Sequence, residues 1–118
     1  LAPKAIGPYS AAMQSGNLIF CSGQTPLNPQ TMLIEGATVS EQTTLVLTNL
    51  ENVLKAAGSD RTKVLKTSVF LKNFADFEKM NKAYEAFFGD HKPARTTVEV
   101  SRLPKDALVE IECVAEIK

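Results

Sequence analysis

The chain has 118 residues, which is the size of one domain, and its composition is ordinary for a soluble globular protein. Thirteen basic and thirteen acidic residues give a formal net charge of zero, so the basic excess typical of nucleic-acid-binding proteins is absent. No run approaches the ~18 apolar residues that a membrane-spanning helix needs. The composition therefore predicts a single domain over residues 1–118.

The two cysteines, Cys21 and Cys113, both lie in apolar segments that resemble strands. Two cysteines do not make a disulfide framework, so we expect reduced and buried thiols. The chain begins at Leu1 without a methionine, and whether a targeting segment precedes it stays open.

The first third of the chain predicts an arm, a hairpin and a loop. Residues 1–8 contain two prolines and a glycine and predict an extended arm. Residues 9–14 and 18–21 predict two short strands, joined by a turn at Gly16-Asn17. Residues 27–36 follow as an irregular loop.

Two predicted helices flank a third strand in the middle of the chain. Thr38 and Glu41 fit a capping box at the start of the first helix. Residues 64–71 form a mostly apolar run that is typical of a strand. The second helix begins near residues 73–76, and its apolar face carries Phe77, Met80, Tyr84 and Phe87.

The last quarter of the chain predicts a second hairpin, in which two strands are joined by a turn. In residues 107–117 every second side chain is apolar from Ala107 to Ile117, and three of the side chains between them are glutamates, which indicates a strand with one face in a core. In the preceding strand we expect Val98 on the core face, so Arg95 and Thr97 point the other way. If these strands pair, Arg95 and Glu110 can lie on the same face, away from the core.

This order of elements predicts an α+β fold with two helices on one face of a mainly antiparallel sheet. Two helices cover only one sheet face, and the opposite face would carry Leu108 and Val114 beside Glu110 and Glu112. A half-apolar face of this kind indicates an interface between subunits.

Seven short segments are spread over essentially the whole chain: Ala5-Ile6-Gly7-Pro8-Tyr9-Ser10, Phe20-Cys21-Ser22-Gly23-Gln24, Tyr84-Glu85-Ala86-Phe87-Phe88, Pro93-Ala94-Arg95, Val98-Glu99-Val100, Leu103-Pro104-Lys105-Asp106 and Val109-Glu110-Ile111-Glu112. In residue type and in order they resemble the motifs of the RidA family, also called YjgF. The resemblance implies a chorismate-mutase-like subunit with a ferredoxin-like βαβ arrangement. It also implies a homotrimer with pockets between neighbouring subunits.

The same resemblance implies an enamine/imine deaminase that needs no metal or cofactor. Its substrates would be 2-imino acids such as 2-iminopropanoate and 2-iminobutanoate, hydrolysed to the 2-keto acid and ammonia. Because relatives occur in the cytosol and in mitochondria, a cytoplasmic location is expected, with a mitochondrial one as the alternative.

Arg95 and Glu110 are the candidate catalytic residues. The guanidinium of Arg95 presents a planar fork that matches a carboxylate in two parallel hydrogen bonds. From the residues alone, an ion pair of Arg95 with Glu99 or Glu112 is an equal alternative, and the resemblance favours a substrate anchor. In a partly dry pocket Glu110 would have a raised pKa and orient the attacking water, its alternative being a solvated strand glutamate.

The resemblance adds Tyr9, Gly23, Asn81 and Thr97 as candidates for substrate binding. Tyr9 is expected against the pocket, from the same or an adjacent chain, and Gly23 allows its backbone to approach the ligand. A surface or packing amide is the alternative for Asn81. Thr97 stands where many relatives have a cysteine, so thiol chemistry is not required here.

Two other functions stay open. Some relatives are described as single-strand endoribonucleases that inhibit translation, but the neutral charge and the lack of a basic face with interleaved aromatics argue against nucleic acid as a partner. A non-catalytic trimer, either a small-acid sensor or a chaperone-like module, is the other possibility. His91 is the single histidine and sits beside Lys92, which argues against a metal site or a histidine-based triad.

Overall fold

The computed structural model describes residues 2–7 and 9–118, so Leu1 and Pro8 of the predicted arm lie outside the described residues. Within them the helices and strands, in chain order, are β1 (Ala12–Ser15), β2 (Leu18–Gln24), α1 (Val39–Ala56), β3 (Val64–Leu71), α2 (Phe77–Phe88), β4 (Ala94–Glu99) and β5 (Val109–Glu116). Three short 3-10 turns, at Arg61–Lys63, Phe74–Asp76 and Pro104–Asp106, precede β3, α2 and β5 respectively.

The described strands form one mixed sheet in the order β1-β2-β5-β3-β4. Three neighbouring pairs are antiparallel, and only β3 and β4 run parallel, with α2 as the connection between them. The predicted fold, two helices against a mainly antiparallel sheet, is therefore confirmed. The capping box is also present, because Thr38 accepts a hydrogen bond from the Glu41 backbone and the Glu41 side chain reaches back to the Thr38 backbone.

The prediction that the last two strands pair with each other is wrong. β3 lies between them, and its Thr67 is opposite Arg95 of β4 on one side and Cys113 of β5 on the other. A helix that joins two strands allows them to lie side by side in parallel, so β3, α2 and β4 form one unit. β5 then occupies the remaining edge of β3.

The predicted faces of β4 are also reversed. Arg95 and Thr97 are opposite Thr67 and Val69, which are fully buried beneath the helices, so both residues point to the helix side. Val98 lies on the other face and is 41% exposed. β4 is an edge strand, and its apolar residues serve the uncovered sheet face rather than the core.

The core fills the space between the two helices and the sheet. Cys21 and Cys113 belong to it, lie opposite each other in β2 and β5, and are free and buried as expected. The other fully or almost fully buried apolar residues include Ile19, Val46, Leu47, Leu50, Leu54, Val69, Leu71, Met80, Val109, Ile111 and Ala115.

The second sheet face, which we name the open face, has no helix over it in the part of the chain that is described. Met13, Phe20 and Val98 lie on it and are 64%, 47% and 41% exposed. Glu110 and Glu112 project from the same face, since they are opposite Phe70 and Ser68 of β3. The face therefore has the half-apolar character that its sequence indicated.

Candidate functional site

Arg95 lies at the corner between β4 and α2. Its guanidinium carbon is 4.8 Å from the centroid of the Tyr84 ring and 5.7 Å from that of Phe77. No carboxylate forms an ion pair with it among residues 2–7 and 9–118. Contacts with aromatic rings hold a cation in place without neutralising its charge, so Arg95 stays available for an anion.

Neither of the two carboxylates considered as ion-pair partners of Arg95, those of Glu99 and Glu112, is placed to pair with it. Glu99 Oε1 accepts a hydrogen bond from the backbone N–H of Phe74 at 2.7 Å. Glu112 lies on the open face, whereas Arg95 lies on the helix side. The alternative of a structural ion pair for Arg95 is therefore not supported.

Tyr84 fixes the position of Arg95, a role that neither the apolar stripe of α2 nor the family segment at residues 84–88 had indicated. Its hydroxyl lies 2.7 Å from Thr67 Oγ1 in a buried hydrogen bond, which sets the plane of the ring. Burial raises the pKa of Tyr84, so its hydroxyl stays neutral. The sequence feature that could have predicted this contact is the pair Phe77 and Tyr84, which lie seven residues apart and therefore on one face of the helix. An arginine on the neighbouring strand can reach both rings.

Two buried oxygens close to Arg95 have no hydrogen-bond partner among the described residues. They are Asn81 Oδ1, on α2, and Thr97 Oγ1, two residues after Arg95 on the same face of β4. A buried polar group without a partner typically costs about 1–3 kcal/mol. Such groups at a cavity wall are suited to a ligand that supplies the missing hydrogen bonds.

A cavity of about 350 Å³ lies beside these residues, between α2 and the loop that leads into β4. Asn81, Tyr84, Phe88 and Arg95 form part of its wall. Two of the predicted site residues, Asn81 and Arg95, thus share this cavity, and Thr97 follows Arg95 on the same face of β4 without forming part of the cavity wall. We name these three residues the anchor group.

The other three predicted residues, Tyr9, Gly23 and Glu110, meet at a smaller cavity of about 50 Å³. The Glu110 carboxylate lies directly over Gly23, and a Cβ on Gly23 would overlap Glu110 Oε2. Burial raises the pKa of Glu110, and the charge of nearby Glu112 raises it further. We name these three residues the carboxylate group.

Two irregular pieces of backbone build the carboxylate group. The pairing of β2 with β5 shifts register between Cys21 and Gln24, and this bulge contains Gly23. Across the cavity, Pro104 precedes Lys105 and Asp106, which adopt left-handed conformations with φ of 54° and 57°. Strained backbone of this kind clusters at functional sites.

The prediction that Arg95 and Glu110 share a sheet face is wrong. They are opposite Thr67 and Phe70 of β3, and side chains three residues apart on a strand point to opposite faces. β3 also separates the two strands that carry them. One chain therefore contains both groups of residues but does not bring them into one pocket.

Neither a metal site nor a membrane span is found within the described ranges. No group of three or more His, Cys, Asp or Glu side chains there is arranged to hold a metal ion. None of the helices in residues 2–7 and 9–118 has the length and apolar character needed to cross a membrane.

The chain matches the family model described as endoribonuclease L-PSP over residues 1–117. The RutC family protein of Pyrococcus horikoshii is 51% identical over 114 residues, which cover 97% of this chain and 90% of that protein. The chloroplastic Reactive Intermediate Deaminase A of Arabidopsis thaliana is 43% identical over 116 residues, covering 98% of this chain and 62% of the plant protein.

Solved structures agree with these sequence relatives. The YjgF gene product of E. coli has a TM-score of 0.93 and 45% identity, over 99% of this chain and 94% of the other. E. coli TdcF, solved with bound serine, has a TM-score of 0.93 and 41% identity over the same shares of the two chains. The family that the motifs indicated is thereby confirmed, and the chain belongs to the endoribonuclease L-PSP family, which includes the YjgF and Rid proteins.

Proposed function

We propose that the protein hydrolyses reactive 2-imino and enamine acids, such as 2-iminopropanoate and 2-iminobutanoate, to 2-keto acids and ammonia. The observation that carries this proposal is the Arg95 guanidinium, which has no carboxylate partner among the described residues and lies beside two buried oxygens without partners. The name of the plant relative, Reactive Intermediate Deaminase A, and the serine bound in TdcF support a small amino-acid derivative as substrate.

We infer that a second copy of the chain completes the site. The anchor group and the carboxylate group lie on opposite faces of the sheet, so the anchor group of one copy must meet the carboxylate group of another. A contact between two different surfaces repeats around a ring, and three copies make the homotrimer that the family resemblance implies. The open face, with Met13, Phe20 and Val98, supplies apolar surface for the contact.

The reaction begins with the substrate carboxylate on Arg95, held by two parallel hydrogen bonds that fix the C2 carbon. The oxygen atoms of Asn81 and Thr97 are free to accept hydrogen bonds from the imine nitrogen. Glu110 of the adjacent copy takes a proton from a water molecule as the water oxygen bonds to C2 of the protonated imine. The product of this step is a carbinolamine.

The second half of the reaction expels ammonia. The carbinolamine nitrogen gains a proton, from the Glu110 carboxyl or from water, and the C–N bond breaks. The hydroxyl group then loses its proton as the C=O bond of the keto acid forms. The raised pKa of Glu110 suits both steps, because the group can take up and return a proton closer to neutral pH.

The substrate imine is already electrophilic, so little catalytic power is required. Positioning together with one acid–base group contributing ~10²–10⁴-fold is sufficient. Archaeal relatives and the bacterial YjgF favour the cytoplasm over the mitochondrion as the location of this reaction.

Cleavage of single-stranded RNA is the second candidate function, because the matching family model is described as an endoribonuclease. The zero net charge and the carboxylates Glu110 and Glu112 on the open face disfavour binding of a phosphate backbone. Binding of a small acid without catalysis is the third candidate, since the anchor group alone suffices for it.

A coupled imine assay tests these functions. An amino-acid oxidase generates the imino acid in the presence of semicarbazide, and the protein competes with semicarbazone formation. We expect wild type and the control variant Arg102→Ala to suppress the semicarbazone, because Arg102 is exposed and paired with Asp106. Arg95→Ala should lose at least about 100-fold in kcat/KM, with its circular dichroism spectrum unchanged.

Absence of suppression by wild type across several imino acids would refute the deaminase. Retention of keto-acid binding would then favour the small-acid sensor. RNA binding that weakens steeply with added salt would favour the endoribonuclease.

A further inference from the structure

The cavity beside Arg95 is larger than a three- or four-carbon acid requires. It has a volume of about 350 Å³ and extends from Arg95 along the end of α2 to Lys92. Cavities above about 300 Å³ typically hold considerably larger ligands than such an acid. Space therefore remains in the cavity once the reacting carboxylate occupies Arg95.

The charge that lines this cavity is strongly positive. Lys82, Lys92 and Arg95 border it, and Glu85 is its single carboxylate. Glu85 lies 4.0 Å from the Lys92 ammonium, so these two charges offset each other. Lys82 and Arg95 have no ion-pair partner within the described residues, which leaves an excess of two positive charges in a chain of zero net charge.

The wall between these cations is well ordered by its own contacts. The rings of Tyr84 and Phe88 pack with their centroids 4.8 Å apart. His91 Nε2 lies 2.6 Å from the backbone oxygen of Val64 and donates to it, since a carbonyl oxygen only accepts. The cavity is therefore bounded by packed aromatic and ring groups, with the exposed Lys82 at its rim.

We propose that this cavity takes a dianionic 2-oxo or 2-imino acid, with the reacting carboxylate on Arg95 and a second carboxylate on Lys82. The proposal rests on the site of the proposed function and adds a substrate class to it, the 2-imino dicarboxylates. Simple solvation of Lys82, as on most helix surfaces, is the alternative that the experiment must separate.

Two keto acids with the same five-carbon chain provide the test. 2-Oxoglutarate ends in a carboxylate and 2-oxopentanoate in a methyl group. The difference between their binding affinities therefore measures the effect of the second negative charge. At low ionic strength we expect calorimetric titration of wild type to show 2-oxoglutarate binding up to about fivefold tighter, which is the upper end of the range for one exposed ion pair. The preference should shrink in 0.5 M salt by screening, since the Debye length at about 0.1 M is already about 10 Å.

Lys82→Gln should abolish this preference, whereas Lys79→Gln should retain it. Lys79 is an exposed lysine on the same helix that does not line the cavity, so it controls for net charge. Equal affinity of wild type for the two acids overturns the proposal. An equal loss of preference in both variants also overturns it, because it would show a general charge effect.

The imine assay separates this proposal from the proposed function. Hydrolysis of 2-iminobutanoate without any preference for 2-oxoglutarate would refute the dianion site and leave the deaminase intact. A Lys82-dependent preference without hydrolysis of any imino acid would refute the deaminase and support the dianion site. Faster hydrolysis of 2-iminoglutarate than of 2-iminopentanoate, lost in Lys82→Gln, would support both.

Discussion

At the scale of single residues, the anchor depends on a guanidinium held by aromatic rings instead of carboxylates. Tyr84 contributes its ring to Arg95 and its hydroxyl to Thr67. Tyr84→Leu should raise KM by about 2- to 30-fold, because a partly desolvated cation–π contact is worth about 0.5–2 kcal/mol. Tyr84→Phe keeps the ring, so its KM should stay close to wild type while its urea midpoint falls from the lost hydrogen bond. Equal KM values for the two variants would show that the ring does not position Arg95.

A glycine is needed at position 23 because the Glu110 side chain occupies the place of a Cβ atom, and not because the backbone has an unusual conformation there. A methyl group there overlaps the end of the flexible Glu110 side chain, which can move away at little cost to the fold. Gly23→Ala should therefore leave the melting temperature within a few degrees of wild type but lower kcat by at least about tenfold. Wild-type kcat in a folded Gly23→Ala variant would mean that the position of Glu110 is unimportant for the reaction.

The pH dependence should report the environment of Glu110. Burial, followed by the Glu112 charge, raises its pKa in the folded protein, so its charged form is penalised by folding. Ionisation of Glu110 therefore lowers the free energy of unfolding as the pH rises through the raised pKa. At acid pH, where Glu110 is protonated, this loss of stability disappears. Because the reaction needs the carboxylate, kcat should fall on the acid side at a higher pH than for an ordinary glutamate.

Glu112→Gln isolates one cause of this shift. It removes the like charge near Glu110 and leaves burial unchanged, so the acid limb of the kcat profile should move to lower pH. A profile unchanged in Glu112→Gln at low salt would assign the whole shift to burial. A profile moved to higher pH would contradict the assignment of Glu110 as the base.

At the scale of elements, local signals predicted what depends on local physics. The capping box gave the start of α1, and the apolar run of residues 64–71 matches β3 at both ends. The sequence did not predict which face of β4 points to the core. In an edge strand with two half-apolar faces, the pattern of apolar residues does not distinguish the inward face from the outward one. Val98 was therefore assigned to the core, although it belongs to the open face.

The end of α2, which borders the large cavity, is tied to α1 through Arg61. Its guanidinium donates to Glu51 at 2.8 and 2.6 Å and to the backbone oxygen of Phe87 at 2.7 Å. Arg61→Ala leaves Glu51 almost buried without its partner, so it should lower the free energy of unfolding by about 2–3 kcal/mol. Arg102→Ala breaks an exposed pair and should change it by less than about 1 kcal/mol. Urea unfolding at pH 7 measures both, and similar effects would contradict this account.

The ion pair of Arg61 with Glu51 should make the stability of the protein depend on pH in the acid range. Hydrogen bonds from Arg61 lower the pKa of Glu51 below its ordinary value. The stabilisation is thus complete above the ordinary pKa and is lost as the pH falls through the lowered one. The stability difference between wild type and Arg61→Ala should therefore narrow in urea titrations at acid pH, and a constant difference would contradict it.

At the scale of the whole molecule, the sequence motifs named the candidate residues but did not contain their grouping. Five of the six candidates line one of the two cavities, and Thr97 lies two residues from Arg95 on the same face of β4. Their division follows from strand order, because β3 between β4 and β5 places Arg95 and Glu110 on opposite faces. Sequence periodicity describes one strand at a time and does not contain this relation.

This division predicts that two inactive variants can restore each other. Arg95→Ala keeps the carboxylate group and Glu110→Gln keeps the anchor group, so a mixed ring contains contacts at which both groups are intact. With equal amounts and random assembly, an intact contact needs one variant on each side in the right order, which occurs at about one quarter of contacts. Refolding the two variants together should therefore recover about a quarter of the wild-type imine hydrolysis.

The control for this experiment mixes Arg95→Ala with the double variant Arg95→Ala, Glu110→Gln. No contact in that mixture has an intact anchor group, so activity should stay at the level of Arg95→Ala alone. If each chain carried a complete site, no mixture of the two single variants would regain activity, even when differently tagged chains copurify in one oligomer. Recovery only in the first mixture requires that Arg95 and Glu110 of one working site come from different copies.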